Sequence, residues 1–123
     1  MAGAVNRRVV GAQGEKLALE AYLRAGYSLV ARNWHFHRMG EIDLILCKGE
    51  LLVFCEVKLR KDPSFAEASL SVDRVKRNRI RKLSQCFLME KPCFADYSVR
   101  FDVCEVIPDK CGVLRVNLIA DAF

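Results

Sequence analysis

Apolar side chains recur at helical spacing in two segments of the chain. The first covers residues 13–25 and ends at Gly26, which is typical of the position after a helix. Glu15 lies on the apolar face of this segment, where a carboxylate is costly unless it has a partner or a function. The second segment runs from a predicted N-cap at Ser71 to about residue 90. Its apolar stripe is formed by Val72, Val75, Ile80, Leu83 and Phe87.

Five shorter apolar segments are typical of β-strands, at residues 29–34, 41–47, 51–58, 98–107 and 113–118. The predicted order of elements is therefore αβββαββ, an α/β or α+β fold in which helices pack on a sheet. Neither a repeat nor a Pro/Gly/Ser-rich linker interrupts the sequence. We predict a loose N-terminal arm over residues 1–11 and one domain over residues 12–123.

The second and third strands are predicted to form a hairpin that brings two acidic residues to one side. A two-residue turn of Gly49 and Glu50 would place Asp43 opposite Glu56, because opposed residues of an antiparallel pair share a face. A turn of residues 48–49 would instead place Asp43 opposite Phe54, one diagonal away from Glu56. Both registers put the two carboxylates on the same side of the sheet.

Two opposed carboxylates repel each other unless a positive charge lies between them. Mg²⁺ prefers one or two carboxylates, with water and substrate phosphate completing its shell. Lys58 lies two residues after Glu56 on the same face, where it could stabilise developing negative charge. Asp43, Glu56 and Lys58 therefore fit phosphodiester hydrolysis. The alternative is a structural ion pair at the rim of the sheet.

The net charge of +5 is concentrated in one segment. Residues 74–82 contain six basic residues and no acidic one, and removing those six charges leaves −1 for the rest of the chain. A local basic stripe on a helix indicates a surface for phosphates, or it is simply a solvated helix face. Arg74, Arg77, Arg81 and Lys82 lie largely off the apolar stripe, so the basic face is predicted to point outward.

Composition excludes several classes of protein. With 52% hydrophobic and 28% charged residues the chain is globular and not disordered. Its longest apolar run, residues 51–55, is far shorter than the roughly 20 residues that cross a bilayer. We therefore expect a soluble, cytoplasmic protein with no membrane partner. His35 and His37 are either surface contacts or weak metal ligands, and no further ligand lies near them in the sequence.

Motifs along most of the chain resemble the YraN-like family of small bacterial proteins. Residues 40–45 read GEIDLI, and residues 54–58 read FCEVK after a glycine-containing turn. Gly14-Glu15, Ala31-Arg32-Asn33 and Phe101-Asp102-Val103 are also similar to that family. The resemblance places the chain in the PD-(D/E)XK nuclease superfamily. It implies a restriction-endonuclease-like fold with a mixed central sheet, close to that of Holliday-junction resolvases.

The resemblance also implies roles for individual residues. Asp43, Glu56 and the backbone carbonyl of Val57 correspond to ligands of Mg²⁺ or Mn²⁺. Lys58 corresponds to the catalytic lysine and Glu15 to a first-helix acid that acts through water. We expect the basic residues that follow to contact nucleic acid, and these are Arg60, Lys76, Arg77, Arg79, Arg81 and Lys82.

These expectations lead to one favoured function and two alternatives. The favoured function is a metal-dependent endonuclease that acts on DNA, including branched DNA, with RNA left open as a substrate. The first alternative is a nucleic-acid-binding module that keeps the fold with little or no catalysis. The second is an interaction protein whose acidic cluster is structural. A homodimer is expected from the resemblance to resolvases, which cut two strands of a junction.

Overall fold

The computed structural model describes residues 7–60 and 73–123, with side chains from residue 11 onward. Two helices and five strands follow one another in the predicted order αβββαββ, which confirms the α+β fold. No helix among the described residues is long and apolar enough to cross a membrane. The elements are α1 Arg7–Arg24, β1 Ser28–His35, β2 Glu41–Lys48, β3 Leu51–Leu59, α2 Arg74–Glu90, β4 Ser98–Pro108 and β5 Leu114–Ile119, with a short 3-10 turn at Pro92–Phe94.

The strands form one mixed sheet in the order β1-β2-β3-β4-β5. β3 and β4 are parallel and are connected through α2, whereas the other neighbours are antiparallel. In the β2–β3 hairpin Lys48 is opposite Leu51, so the turn consists of Gly49 and Glu50. The first of the two predicted registers is therefore correct. This architecture is consistent with a restriction-endonuclease-like fold.

Each face of the sheet is covered by one helix. Ala18 and Tyr22 of α1 pack on one face with a cluster that includes Leu44 and Cys55. On the other face α2 packs on a second cluster, whose buried members are Ile42, Ile45, Leu52, Phe54, Ile80, Leu83, Phe87 and Val103. The two apolar layers fix both helices against the central strands, which carry the predicted acids.

The first helix begins earlier than predicted and ends where predicted. It starts at Arg7, so residues 7–11 of the predicted arm are helical, while residues 1–6 lie outside the described residues. Val9, Val10 and Gly11 are poor helix formers, which hid this first turn in the sequence. At the other end Tyr27 N–H donates to Tyr22 C=O, and Gly26 adopts a φ of 91°. This is the glycine-dependent Schellman end of a helix.

The second helix begins at Arg74, and its N-cap is Asp73. The Asp73 carboxylate accepts a hydrogen bond from the backbone N–H of Lys76 at 2.8 Å, which satisfies one of the free donors of the first turn. The predicted cap at Ser71 was therefore wrong, and Ser71 and Val72 lie outside the described residues. Val75 was wrongly assigned to the apolar stripe, since it is 67% exposed.

Candidate active site

A cleft of about 350 Å³ opens where β2 begins and β3 ends. The N-terminal half of α1 and the first turns of α2 form its two sides, so it spans the end of the sheet between the helices. Four carboxylates and two cations are brought together here. The charged residues that line the cleft are Glu15, Glu41, Asp43, Glu56, Lys76 and Arg79.

Asp43 lies at the point where β2 and β3 part. The hairpin pairing extends as far as Leu44 opposite Cys55, one step before the two acids. Beyond it the Val57 N–H donates to Asp43 Oδ2 at 2.8 Å, so the side chain of Asp43 replaces a backbone partner. In an extended strand the N–H and C=O of one residue point to the same side. The Val57 carbonyl, a predicted metal ligand, is therefore directed towards Asp43.

The carboxylate of Asp43 is held in an environment that disfavours its charge. Burial is the largest cause, and repulsion from Glu56, Glu15 and Glu41 adds to it, whereas the hydrogen bond from Val57 acts in the opposite direction. Together they raise the pKa of Asp43 from 3.8 to about 8. A strongly perturbed acid in a cleft is a pointer to a functional site.

Glu15 reaches the same cleft from α1. Burial raises its pKa, and repulsion from Glu41 and Glu56 contributes, while a hydrogen bond with the Asn33 side chain and the charge of Arg32 oppose the rise. Asn33 has a φ of 48°, the left-handed conformation that asparagine tolerates better than most residues. The contact with Asn33 thus links Glu15 of α1 to β1.

Glu56 is buried, with 5% of its side chain exposed, and it forms an ion pair with Lys76 of α2. A buried carboxylate requires such compensation, because an unpaired charge in the interior is strongly unfavourable. The contact crosses from the sheet to the helix. It places the Lys76 ammonium beside the carboxylate predicted to bind metal, on the inner side of a helix whose basic residues were predicted to face outward.

Lys58 and Arg60, the two basic residues predicted to act at the end of β3 and just after it, do not line the cleft. Lys58 is half-buried and does not line the cleft, although alternation puts it on the face of Glu56. Arg60 donates to Glu105 Oε2 at 3.0 Å, and Glu105 is only 1% exposed. Arg60 therefore neutralises a buried carboxylate of β4. Its predicted contact with nucleic acid would compete with that structural pairing.

The remaining predicted phosphate-binding residues lie along α2. Arg79 and Lys82 are exposed, and Arg79 also lines the cleft. The guanidinium of Arg81 lies 5.5 Å from the ring centroid of Phe123, and that of Arg77 lies 5.9 Å from it. Such cation–π contacts leave the charge available to solvent while fixing the side chain on the protein.

The donor set of the cleft fits a hard divalent cation. Asp43, Glu56 and the Val57 carbonyl offer oxygen ligands, which Mg²⁺ and Mn²⁺ prefer over softer donors. Burial and the neighbouring carboxylates raise the pKa of Asp43 although Lys76 pairs with Glu56, so a cation beside Asp43 would be favourable. Within the described ranges no three His, Cys, Asp or Glu side chains are close enough to hold a metal by themselves. Water and substrate would have to complete the shell.

Sequence reasoning missed two polar residues of the site. Glu41 lies two residues before Asp43, so alternation along β2 puts both on one face, but nothing in the sequence indicated a role for it. Asn33 gave two signals, its place in the family-like motif Ala31-Arg32-Asn33 and an amide in a segment otherwise suited to a strand, where asparagine is disfavoured. His35 and His37 are exposed and do not line the cleft, and His37 packs edge-on against Phe36.

Comparison with known proteins gives a consistent family. The model of the family described as Uncharacterised protein family UPF0102, the YraN family, matches residues 14–106. A UPF0102 protein of Natranaerobius thermophilus is 34% identical over 119 residues, covering 97% of this chain and all of its own. Those of Caldicellulosiruptor bescii and Symbiobacterium thermophilum are 38% and 40% identical, covering 97% and 94% of this chain and 100% and 97% of theirs. The resemblance found in the motifs is confirmed.

Proposed function

The chain belongs to the UPF0102 family, and we propose that it is a metal-dependent endonuclease that hydrolyses phosphodiester bonds of DNA, with branched DNA as the favoured substrate. One observation carries the proposal. Asp43 and Glu56 converge with Glu15 and Glu41 in a cleft, and their mutual repulsion and burial raise the pKa of Asp43 to about 8. A divalent cation would remove that penalty and use the same oxygens for chemistry.

The proposed function assigns a separate role to each residue of the site. Asp43, Glu56 and the Val57 carbonyl would hold Mg²⁺ or Mn²⁺, and a bound metal would polarise a phosphoryl oxygen and lower the pKa of a water. Glu15, oriented by Asn33, accepts a hydrogen bond from a water in the cleft and so positions it. Lys58 keeps the role implied by the family resemblance, stabilisation of negative charge on the phosphate.

The exposed cations of α2 position the substrate. Arg79 lines the cleft and Lys82 lines an adjacent groove that shares Arg79, so phosphate contacts there would hold a duplex without reading its sequence. Their contribution should fall steeply with salt, because each contact releases counterions. A homodimer remains an expectation drawn from resolvases, which cut two strands of a junction.

A second candidate function is a nucleic-acid-binding module without catalysis. The Glu56–Lys76 ion pair favours it, because that pair neutralises one of the two predicted metal ligands without any metal. A pure binding protein has no need for the remaining carboxylates, which repel phosphate. For that reason the endonuclease is preferred.

The test is a cleavage assay with Mg²⁺ or Mn²⁺ on linear duplex, flap and four-way-junction DNA, with single-stranded RNA included. Asp43→Asn is compared with Asp96→Asn, a matched change at an exposed position before β4. We expect metal-dependent cutting by the unchanged protein and by Asp96→Asn, and at least about a hundredfold less by Asp43→Asn. Salt-sensitive binding with no cutting of any substrate would select the binding module instead.

A further inference from the structure

Lys76 occupies a position on α2 that the packing of the helix determines. It precedes Ile80 by four residues and Leu83 by seven, the spacing that aligns side chains on one face of a helix. Ile80 and Leu83 are buried against the sheet, with exposed fractions of 2% and 0%. Lys76 therefore continues the buried stripe beyond the apolar core, and its side chain enters the cleft.

The backbone of Lys76 is fixed, whereas its ammonium can move. The N–H of Lys76 is held by the Asp73 cap at 2.8 Å, in the first turn of the helix. The side chain is 41% exposed and ends on Glu56. A lysine side chain has a flexible stem of four carbons, so its ammonium can change partner while the helix stays in place.

A divalent cation in the cleft would compete with Lys76 for one carboxylate. The ion pair uses Glu56 Oε1, and Glu56 is also a predicted metal ligand. Two cations sharing a buried carboxylate repel each other, and the doubly charged ion is the stronger competitor in a cluster of four acids. A displaced ammonium would remain in the cleft, within reach of a bound phosphate.

We propose that Lys76 neutralises Glu56 while the cleft holds no metal and becomes a phosphate-binding residue of the active site once a divalent cation takes that carboxylate. This role rests on the proposed function, because it requires that the cleft bind both metal and nucleic acid. It differs from a structural ion pair in one measurable respect. The contribution of Lys76 to DNA binding should depend on whether metal is present.

Metal affinity provides the first readout. Calorimetric titration with Mn²⁺ compares the unchanged protein with Lys76→Met, which keeps the length of the side chain and removes its charge. Lys91→Met, at the exposed far end of the same helix, is the matched control. We expect Lys76→Met to bind Mn²⁺ about fivefold more tightly, the weight of a partly exposed ion pair, and Lys91→Met to behave like the unchanged protein.

DNA affinity provides the second readout, with a labelled four-way junction in EDTA or in Ca²⁺, which binds oxygen ligands in a looser geometry than Mg²⁺. We expect Lys76→Met to weaken binding about fivefold in Ca²⁺ and hardly at all in EDTA, where Lys76 is engaged by Glu56. Lys76→Arg should restore binding in Ca²⁺, because it keeps the cation. Thermal unfolding of each variant verifies that it is folded.

The possible results separate this role from the proposed function. Unchanged protein that binds Mn²⁺ and cuts DNA, with Lys76→Met equal to it in metal affinity and in both DNA measurements, would overturn the role of Lys76 alone. Equal losses of DNA affinity in EDTA and Ca²⁺ would do the same, since they describe a phosphate contact independent of metal. Unchanged protein that neither binds Mn²⁺ nor cuts any substrate would overturn both.

Discussion

Replacing Asp43 with asparagine should stabilise the metal-free protein while it abolishes cleavage. The amide has the shape of the carboxylate, and its oxygen can accept the hydrogen bond that Val57 N–H donates at 2.8 Å. It carries no charge to be repelled by Glu15, Glu41 and Glu56, which together with burial raise the pKa of Asp43. The substitution therefore removes an unfavourable charge and preserves a favourable contact.

The magnitude follows from the pKa. The pKa of Asp43 rises from 3.8 to about 8 on folding, and each pKa unit corresponds to about 1.4 kcal/mol of free energy. At pH 7 the carboxyl of Asp43 is ionised in the unfolded chain, because the pH is about three units above its unfolded pKa, whereas in the folded protein it is mostly protonated. The difference costs the folded state at most about 4 kcal/mol. The amide has its own cost of burial, so we expect roughly 1–2 kcal/mol, or a rise in Tm of about 4–8 °C.

The sign of the pH dependence is equally specific. A group whose folded pKa is raised contributes stability that is present below its unfolded pKa and lost as the pH rises through its folded pKa. The advantage of Asp43→Asn should therefore grow between about pH 4 and pH 8 and level off above. Thermal unfolding in EDTA at pH 5 and pH 8, with Asp96→Asn as control, measures it.

Metal reverses the comparison. Mn²⁺ should raise the Tm of the unchanged protein, because a ligand that binds only the folded state stabilises it, and it should leave Asp43→Asn unaffected. The reasoning would be refuted by an Asp43→Asn protein that is no more stable than the unchanged one at pH 8. A gain in stability of the same size at pH 5 and pH 8 would refute it as well.

Two further predictions concern how the site is held. Gly14→Ala would place a methyl group 2.7 Å from a side-chain carbon of Val106, so it should push α1 from β4, lower stability by about 1–3 kcal/mol and impair cleavage by moving Glu15. Gly11→Ala meets nothing within 4 Å and should be neutral or stabilising in urea unfolding; similar losses for both variants would contradict the packing argument. Arg60→Ala leaves Glu105 buried without its cation and should lower the free energy of unfolding by about 2–4 kcal/mol, as measured by urea unfolding. An unchanged urea midpoint together with weaker DNA binding would instead show that Arg60 contacts nucleic acid.

The hairpin that carries the acids was largely predictable from the sequence. Alternation along each strand and a glycine-containing turn left two registers, and both placed Asp43 and Glu56 on one side. Only the turn itself, Gly49 and Glu50, decided between them. What alternation could not supply is the parting of the strands beyond Leu44, where a side chain of β2 takes the place of a backbone partner of β3.

The rotation of α2 was the main error in predicting the site. Val72 and Val75 were counted in the apolar stripe because they are apolar, whereas Lys76 was predicted only to contact nucleic acid and was given no position on the inner face. The buried residues Ile80, Leu83 and Phe87 define a stripe whose continuation passes through Lys76 and leaves Val75 exposed. A charged residue at an inward position is visible only once its buried partner, here Glu56, is known.

The residues that form the turn of the β2–β3 hairpin determine whether Asp43 and Glu56 lie on the same face of the sheet, although the turn is far from both acids. Leu51 follows the turn and Glu56 lies five residues further on, about 17 Å along the strand. If Lys48 were drawn into the turn, Cys47 would pair with Leu51, Cys55 would come opposite Asp43, and Glu56 would rotate to the other face unless a bulge absorbed the shift. The length and composition of this turn are therefore open to variation in relatives, while the spacing of five residues from each acid to the residue that flanks the turn is under the same constraint as the acids themselves.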